Sequence, residues 1–252
     1  METQLRESHA SSSVVSQQQL TLTQLILWLM ATCVVLAYEQ WRLKVADAPS
    51  ETLRWYFNLR LIFYAPLDGA CLAALFLCFC RKALGSSRFP CEPGHWLLVV
   101  TGVLNVCAAA QTFANHFIGE EQLNAFPDWV SATYGAVAWV ISAAVALFAA
   151  WDFRKELLWS LTFVAVTLST LDPVLHVALL VNFKGKHWFL EEFAWGFGSR
   201  VVYSMPAVFA ILAIITERSS HRDLLHWVGV VVLILRVVAE WPSWLVWVQL
   251  FR

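Results

Sequence analysis

The feature that most constrains this chain is a series of seven apolar stretches, each long enough to cross a lipid bilayer. A membrane-spanning helix needs about 20 mostly apolar residues, because the hydrocarbon core is about 30 Å thick and a helix rises about 1.5 Å per residue. Short charged segments separate the stretches. The pattern predicts an all-α integral membrane protein, a bundle of seven transmembrane helices. The stretches cover residues 20–38, 61–80, 96–118, 129–151, 157–181, 200–216 and 224–248.

The composition supports a membrane protein and argues against other classes. Hydrophobic residues make up 59% of the 252 residues and charged residues only 14%, whereas soluble proteins carry about 25% charged residues. The formal net charge of -1 lacks the basic excess of a nucleic-acid-binding protein. We therefore expect the lipid bilayer to surround the chain, and we expect no nucleic-acid partner.

The regions outside the apolar stretches predict the domain organisation and the orientation. Residues 1–19 are rich in Ser and Gln and are predicted to be a disordered tail, and residues 20–252 are predicted to form a single domain. The second, fourth and sixth loops together hold seven Lys and Arg residues, and the third loop holds none. Because short cytoplasmic loops are rich in Lys and Arg, this distribution predicts a cytoplasmic N-terminus in the plasma (inner) membrane.

Ionisable residues inside the apolar stretches are the first candidates for a functional site, because a charge in the bilayer is costly unless it faces the bundle interior. Helix 2 carries Asp68, helix 5 carries Asp172 and His176, and helix 7 carries Arg236 and Glu240. If the helices thread up and down, the three carboxylates lie about 12–15 Å from the same membrane face. The carboxylates are therefore predicted to occupy one layer.

Other polar residues and several prolines fall in or near this layer. Helix 3 adds Asn105 and Gln111. A proline within a helix removes a backbone donor and frees a carbonyl group, so helices 2, 5, 6 and 7 are predicted to be kinked at Pro66, Pro173, Pro206 and Pro242. The layer predicts a polar pocket lined by Asp68, Asn105, Gln111, Asp172, His176, Arg236 and Glu240.

The charges of this pocket do not balance. Three carboxylates face one arginine and one histidine. We expect Arg236 to pair with Glu240 across one helical turn or with Asp172 across the bundle. The remaining carboxylates must be protonated, paired with His176 or bound to a cation, because a bare buried carboxylate is too costly.

Two classes of function remain open. In the first, the pocket binds or transports a proton, a cation or a small polar ligand. In the second, the chain is a structural or accessory membrane protein whose buried charges only lock helix packing, and its aromatic segment 187–199 binds a membrane protein partner. A membrane enzyme that uses Asp172 and His176 as an acid–base or metal pair is a third reading.

Patterns for metals and cofactors are weak in this sequence. A membrane zinc enzyme is expected to carry several histidines at one depth, commonly as H-x-x-x-H, and the sequence has no such pair. A haem or metal held by His116 and His176 would need ligands at different depths. All five lysines lie in loops or at helix ends, which excludes a retinal Schiff base within a helix. No cofactor is therefore indicated.

Overall fold

The computed structural model is all-helical and describes residues 21–45, 51–83, 90–118, 128–182, 199–217 and 222–250. Each of the seven helices in these ranges overlaps one of the predicted stretches. The predicted tail, and residues 187–198 of the predicted partner-binding segment, lie outside the described residues. The helices are α1 (Leu22–Val45), α2 (Glu51–Ala83), α3 (Pro93–Ile118), α4 (Asp128–Asp152), α5 (Leu157–Asn182), α6 (Ser199–Thr216) and α7 (Leu224–Leu250).

Three of the helices contain segments that are long and apolar enough to cross a membrane. These segments are Leu22–Arg42, Leu61–Cys80 and Pro93–Ala114. Shorter apolar segments occur in the other four helices: Ala136–Asp152, Leu157–Asp172, Arg200–Thr216 and Leu224–Val238. The helices α2 and α6 run through Pro66 and Pro206 without a break, and the expected kinks stay a prediction.

The described part of the bundle exposes many large apolar side chains, and small residues are frequent in its interior. Large apolar side chains are exposed on all seven helices, among them Phe79 at 66% and Ile215 at 73%. Soluble proteins seldom expose such continuous apolar surface. Alanine provides 14 of the 27 buried apolar residues in the described part of the chain. Small residues let helix backbones approach closely, which is how helices pack within lipid.

The helices α2, α3 and α7 pack on one another. Helices that are consecutive in the chain pack on each other, and α7 also packs on α2 and α3. Near the start of both helices Gly94 lies against His226, and further along Asn105 meets Arg236. The two helices therefore run parallel.

The backbones of α3 and α7 touch near their N-terminal ends. A Cβ atom added to Gly94 would lie 2.0 Å from the carbonyl oxygen of His226, and one added to Gly229 would lie 2.0 Å from the carbonyl oxygen of Gly94. A side chain at either position would force the two helices apart. The glycines thus bring the polar residues that begin α3 and α7 next to each other.

The helix α1 lies at the edge of the bundle and is attached by aromatic residues. The indole nitrogen of Trp28 donates a hydrogen bond to the carbonyl oxygen of Pro66 in α2 at 2.8 Å. Near the other end of α1, Trp41 stacks on Phe113 of α3 with ring centroids 4.5 Å apart. Contacts at two heights fix α1 against the bundle.

Candidate functional site

A polar triad of Asp68, Asn105 and Arg236 joins α2, α3 and α7. The Nη2 atom of Arg236 forms an ion pair with Oδ1 of Asp68 and also donates to Oδ1 of Asn105 at 3.0 Å. The Nδ2 atom of Asn105 in turn donates to Oδ1 of Asp68 at 3.0 Å. The three side chains form a closed triangle, in which the amide of Asn105 acts as both donor and acceptor.

The triad lies well within the apolar part of the bundle. Asp68 belongs to the candidate span Leu61–Cys80, and Asn105 belongs to Pro93–Ala114. Asn105 is twelve residues after Pro93, the first residue of α3, which corresponds to about 18 Å along the helix axis. Asn105 is thus the thirteenth of the 26 residues of α3 and lies near the middle of that helix.

The triad is neutral overall, but one of its donors is unsatisfied. The side chains of Arg236 and Asp68 are 24% and 20% exposed, and their opposite charges cancel in a setting where a single charge is costly. The Nε atom of Arg236 is buried and has no hydrogen-bond partner among the described residues. A buried donor without a partner costs about 1–3 kcal/mol. Arg236 can therefore still bind an oxygen acceptor.

The structure brings together three of the seven predicted lining residues. Our expectation that Arg236 pairs with Glu240 or Asp172 missed Asp68, which faces Arg236 because α2 packs against α7. Asp172 on α5 and Gln111 on α3 are half-buried. The side chains of His176 and Glu240 lie outside the described residues.

A second group of polar side chains lies where α3 and α7 begin. We call Glu92, His95, Asp223 and His226 the N-terminal cluster. The Nε2 atom of His95 is 2.8 Å from Oδ1 of Asp223, and Nδ1 of His226 is 3.6 Å from Oε2 of Glu92. Each helix thus supplies a carboxylate and, three residues later, a histidine that contacts the carboxylate of the other helix.

The residues of the N-terminal cluster also cap the two helices. Oδ1 of Asp223 accepts the backbone N–H of His226 at 2.8 Å, which is the usual N-cap hydrogen bond. Oε2 of Glu92 accepts the backbone N–H of Asp223 at 3.3 Å. Nδ1 of His226 accepts the backbone N–H of Gly94 at 3.0 Å. Side chains of each helix therefore satisfy donors at the start of the other.

The two carboxylates of the N-terminal cluster differ in proton affinity. Burial raises the pKa of Glu92, and the nearby charge of Asp223 raises it further. Burial also acts to raise the pKa of Asp223, but hydrogen bonds from His95 and from the backbone of His226 bring it below its usual value. Two neighbouring carboxylates repel each other, so the cluster favours a positive charge between them.

An ion-pair network beside the cluster shows that three connections meet at this end of the bundle. Arg222 donates to Oε1 of Glu217 from Nε at 2.9 Å and to Oε2 of Glu156 from Nη2 at 3.2 Å. Glu156 lies between α4 and α5, and Glu217 and Arg222 lie between α6 and α7. The connection that precedes α3 reaches the same place through Glu92.

Three residues of the N-terminal cluster are close enough together to hold a metal ion. One ligand atom each from Glu92, His95 and Asp223 lies within 4.8 Å of the others. His116 packs edge-to-face on Trp41 with centroids 5.3 Å apart. The side chain of His176 lies outside the described residues, so the haem or metal considered at this pair stays untested.

Our sequence reasoning missed the N-terminal cluster, although the chain carries a signal for it. A carboxylate followed three residues later by a histidine occurs twice, as Glu92-Pro-Gly-His95 and Asp223-Leu-Leu-His226. Both occurrences stand at the start of an apolar stretch. A search for two histidines on one helix cannot find a site whose histidines come from two helices.

Comparison with protein-family models, with curated proteins and with solved structures gives no match for this chain. Its function must therefore be inferred from its own side chains.

Proposed function

We propose that this chain is a seven-span protein of the plasma (inner) membrane, with a cytoplasmic N-terminus, that binds or transports a proton or a small polar ligand at the triad. The observation that carries the proposal is the ion pair between Asp68 and Arg236, bridged by Asn105, within the apolar part of the bundle. Ionisable residues at such a depth commonly belong to substrate or proton pathways.

The lengths of the remaining helices support seven spans. The helices α4, α5, α6 and α7 have 25, 26, 18 and 27 residues. At about 1.5 Å per residue, even the shortest reaches about 27 Å, close to the thickness of the hydrocarbon core. The exposed apolar side chains on all seven helices fit a lipid environment better than water.

The charges of the triad favour a proton or an acceptor ligand over a bare cation. Arg236 already balances the charge of Asp68, so a cation gains little attraction there. Protonation of Asp68 removes the counter-ion of Arg236, whose guanidinium then needs another acceptor. A ligand with a carboxylate oxygen meets that need, so protonation of Asp68 and ligand binding at Arg236 favour each other. Such coupling is reciprocal between the two sites.

The alternative function is a structural or accessory one, and the closed geometry of the triad favours it. Every described hydrogen bond of the triad joins two different helices. In some proteins, charges arranged in this way have the fixing of helix packing as their sole role. We do not extend the proposal to an enzyme that uses Asp172 and His176, because the side chain of His176 lies outside the described residues.

Proton flux and ligand binding distinguish the two functions. The purified chain is reconstituted into liposomes that contain a pH-sensitive dye, and a membrane potential is imposed. In parallel, the thermal stability of the chain in detergent is measured with and without a series of small carboxylates. We expect the wild type to conduct protons or to gain stability from a carboxylate. Asp68→Asn should keep its helical content and lose proton conduction, but it should bind a carboxylate more tightly, because Asn leaves Arg236 without a counter-ion as protonation of Asp68 does. Asp152→Asn, an exposed carboxylate at the end of α4, is the matched control.

Two results would contradict binding or transport. One is a wild type that neither conducts protons nor responds to any carboxylate. The other is an Asp68→Asn variant that is less stable but conducts protons and responds to carboxylates as the wild type does. Either result supports the structural function.

A further inference from the structure

We propose that the N-terminal cluster is a site for a divalent transition-metal ion such as zinc, with Glu92, His95 and Asp223 as ligands. Imidazole and carboxylate groups are common zinc ligands in proteins. The site is separate from the triad, since His95 precedes Asn105 by ten residues on α3, or about 15 Å. This inference does not depend on the function proposed for the triad.

The spacing of the ligand atoms is close to that of a metal site. Zinc binds nitrogen and oxygen at about 2.0–2.2 Å, so adjacent ligands of a tetrahedral ion are about 3.3–3.6 Å apart. The ligand atoms of Glu92, His95 and Asp223 lie within 4.8 Å of one another, and the closest two are 2.8 Å apart. Movements of about 1 Å would bring them into one coordination shell.

The charges of the site suit a divalent cation. The negative charges of Glu92 and Asp223 together equal the charge of a divalent ion. Oε2 of Glu92 and Oδ1 of Asp223 each accept a backbone N–H, and the two oxygens of each carboxylate keep further lone pairs for a metal.

A second and independent observation is the state of His226. Its Nδ1 atom accepts the backbone N–H of Gly94, so its proton must be on Nε2. Nδ1 of His226 and Oε2 of Glu92 are then both acceptors, only 3.6 Å apart. Two acceptors that face each other repel, and a cation beside Glu92 would relieve that repulsion. His226 is fully buried, with its ring edge-to-face on Trp159 at 5.3 Å.

The surroundings of His95 also fit a metal ligand. When Nε2 of His95 binds a metal, the proton of the neutral ring must be on Nδ1. Nδ1 lies 3.8 Å from the sulfur of Cys91, which can accept this weak hydrogen bond. Metal-bound histidines usually donate their second N–H to such an acceptor, which fixes the orientation of the ring.

Metal titration of the full chain in detergent tests the proposal. After treatment with EDTA, the protein is titrated with zinc by calorimetry and with cobalt by visible absorption. We expect one zinc ion per chain and cobalt d–d absorption. Asp223→Asn should weaken zinc binding at least about 10-fold and still fold, because Asn is as good an N-cap residue as Asp. His95→Gln should weaken zinc binding to a similar extent.

Two control variants keep the result specific. His116→Ala removes an exposed histidine of α3, and Asp152→Asn removes an exposed carboxylate of α4; both should bind zinc as the wild type does. A wild type that binds no stoichiometric zinc would overturn the proposal and leave capping as the role of the cluster. Equal losses of affinity in the control variants and in Asp223→Asn would also overturn it.

Discussion

The substitution Asp68→Asn tests how much the triad contributes to stability. The variant keeps the size of the side chain and one acceptor oxygen, but it leaves the charge of Arg236 without a counter-ion. Loss of one partner of a fully buried ion pair costs about 3–5 kcal/mol. Because Asn keeps a side-chain oxygen that can still accept a hydrogen bond from Arg236, we expect a smaller loss of about 2–3 kcal/mol in the free energy of unfolding.

A double-mutant cycle separates the ion pair from other effects of the substitution. Arg236→Gln leaves Asp68 without a counter-ion and should cost a similar amount. The double variant contains no charge, and its two amides can hydrogen-bond to each other and to Asn105, so we expect it to lose about 1 kcal/mol or less. The two substitutions should therefore be coupled by about 3–5 kcal/mol.

A thiol-reactive fluorophore can follow unfolding in detergent. Cys71 is fully buried and Cys78 is 8% exposed, so both become reactive when the bundle opens, once the exposed thiols have been blocked. For a chain of this size 1 kcal/mol corresponds to about 2–4 °C, and each single variant should lower the Tm by about 4–12 °C. Asp152→Asn should stay within about 0.5 kcal/mol of the wild type. If the two single losses simply add in the double variant, the reasoning about the ion pair is wrong.

Three further substitutions test other contacts. Gly229→Ala places a Cβ 2.0 Å from the carbonyl oxygen of Gly94, and the forced separation of α3 and α7 should cost about 1–3 kcal/mol or more in the fluorophore assay. Glu92→Gln should raise the Tm of the metal-free protein at pH 7. Folding raises the pKa of this carboxyl above 4.5, so its ionised form costs stability as the pH rises past that value, and the gain should vanish on acidification. Trp28→Phe removes the 2.8 Å hydrogen bond to Pro66 and should cost about 0.5–1.5 kcal/mol, with faster hydrogen exchange in α1.

Each of these expectations has a result that opposes it. A Gly229→Ala variant with the wild-type Tm would be incompatible with backbone contact between α3 and α7. A Glu92→Gln variant that is less stable at pH 7 than at pH 4.5, relative to the wild type, would reverse the sign argued from burial. For Trp28→Phe the matched control is Trp151→Phe, whose ring is 67% exposed; equal effects of the two would show that the hydrogen bond to α2 contributes nothing.

The sequence predicted the positions of the helices well, because long apolar segments separated by charged residues are a strong helical signal. Asp68, Asn105 and Arg236 were among the seven residues predicted to line a pocket, and the structure brings these three side chains together; the pocket itself stays a prediction. The depth of a residue along a helix does not determine the rotation of that helix about its own axis. The choice of Asp68 as the partner of Arg236 depends on how α2 rotates against α7, which is set by packing.

The ends of the helices were harder to predict for a related reason. Glu92 and Asp223 lie outside the predicted apolar stretches, where polar residues are usually exposed to water. The structure brings them together because the glycine contact lets α3 and α7 approach closely, and the side chain of Glu92 is then only 17% exposed. A sequence pattern within one helix does not predict a contact between that helix and another one.

The parallel contact of α3 and α7 also restricts how the bundle can move. The step from the N-terminal cluster to the triad is ten residues on each helix, from His95 to Asn105 and from His226 to Arg236. A slide of one helix along the other by a single residue, about 1.5 Å, would disturb both groups at once. We therefore expect α3 and α7 to move together as one rigid unit. A helix movement that opens the triad is then a tilt of α2, which carries Asp68, relative to α3 and α7.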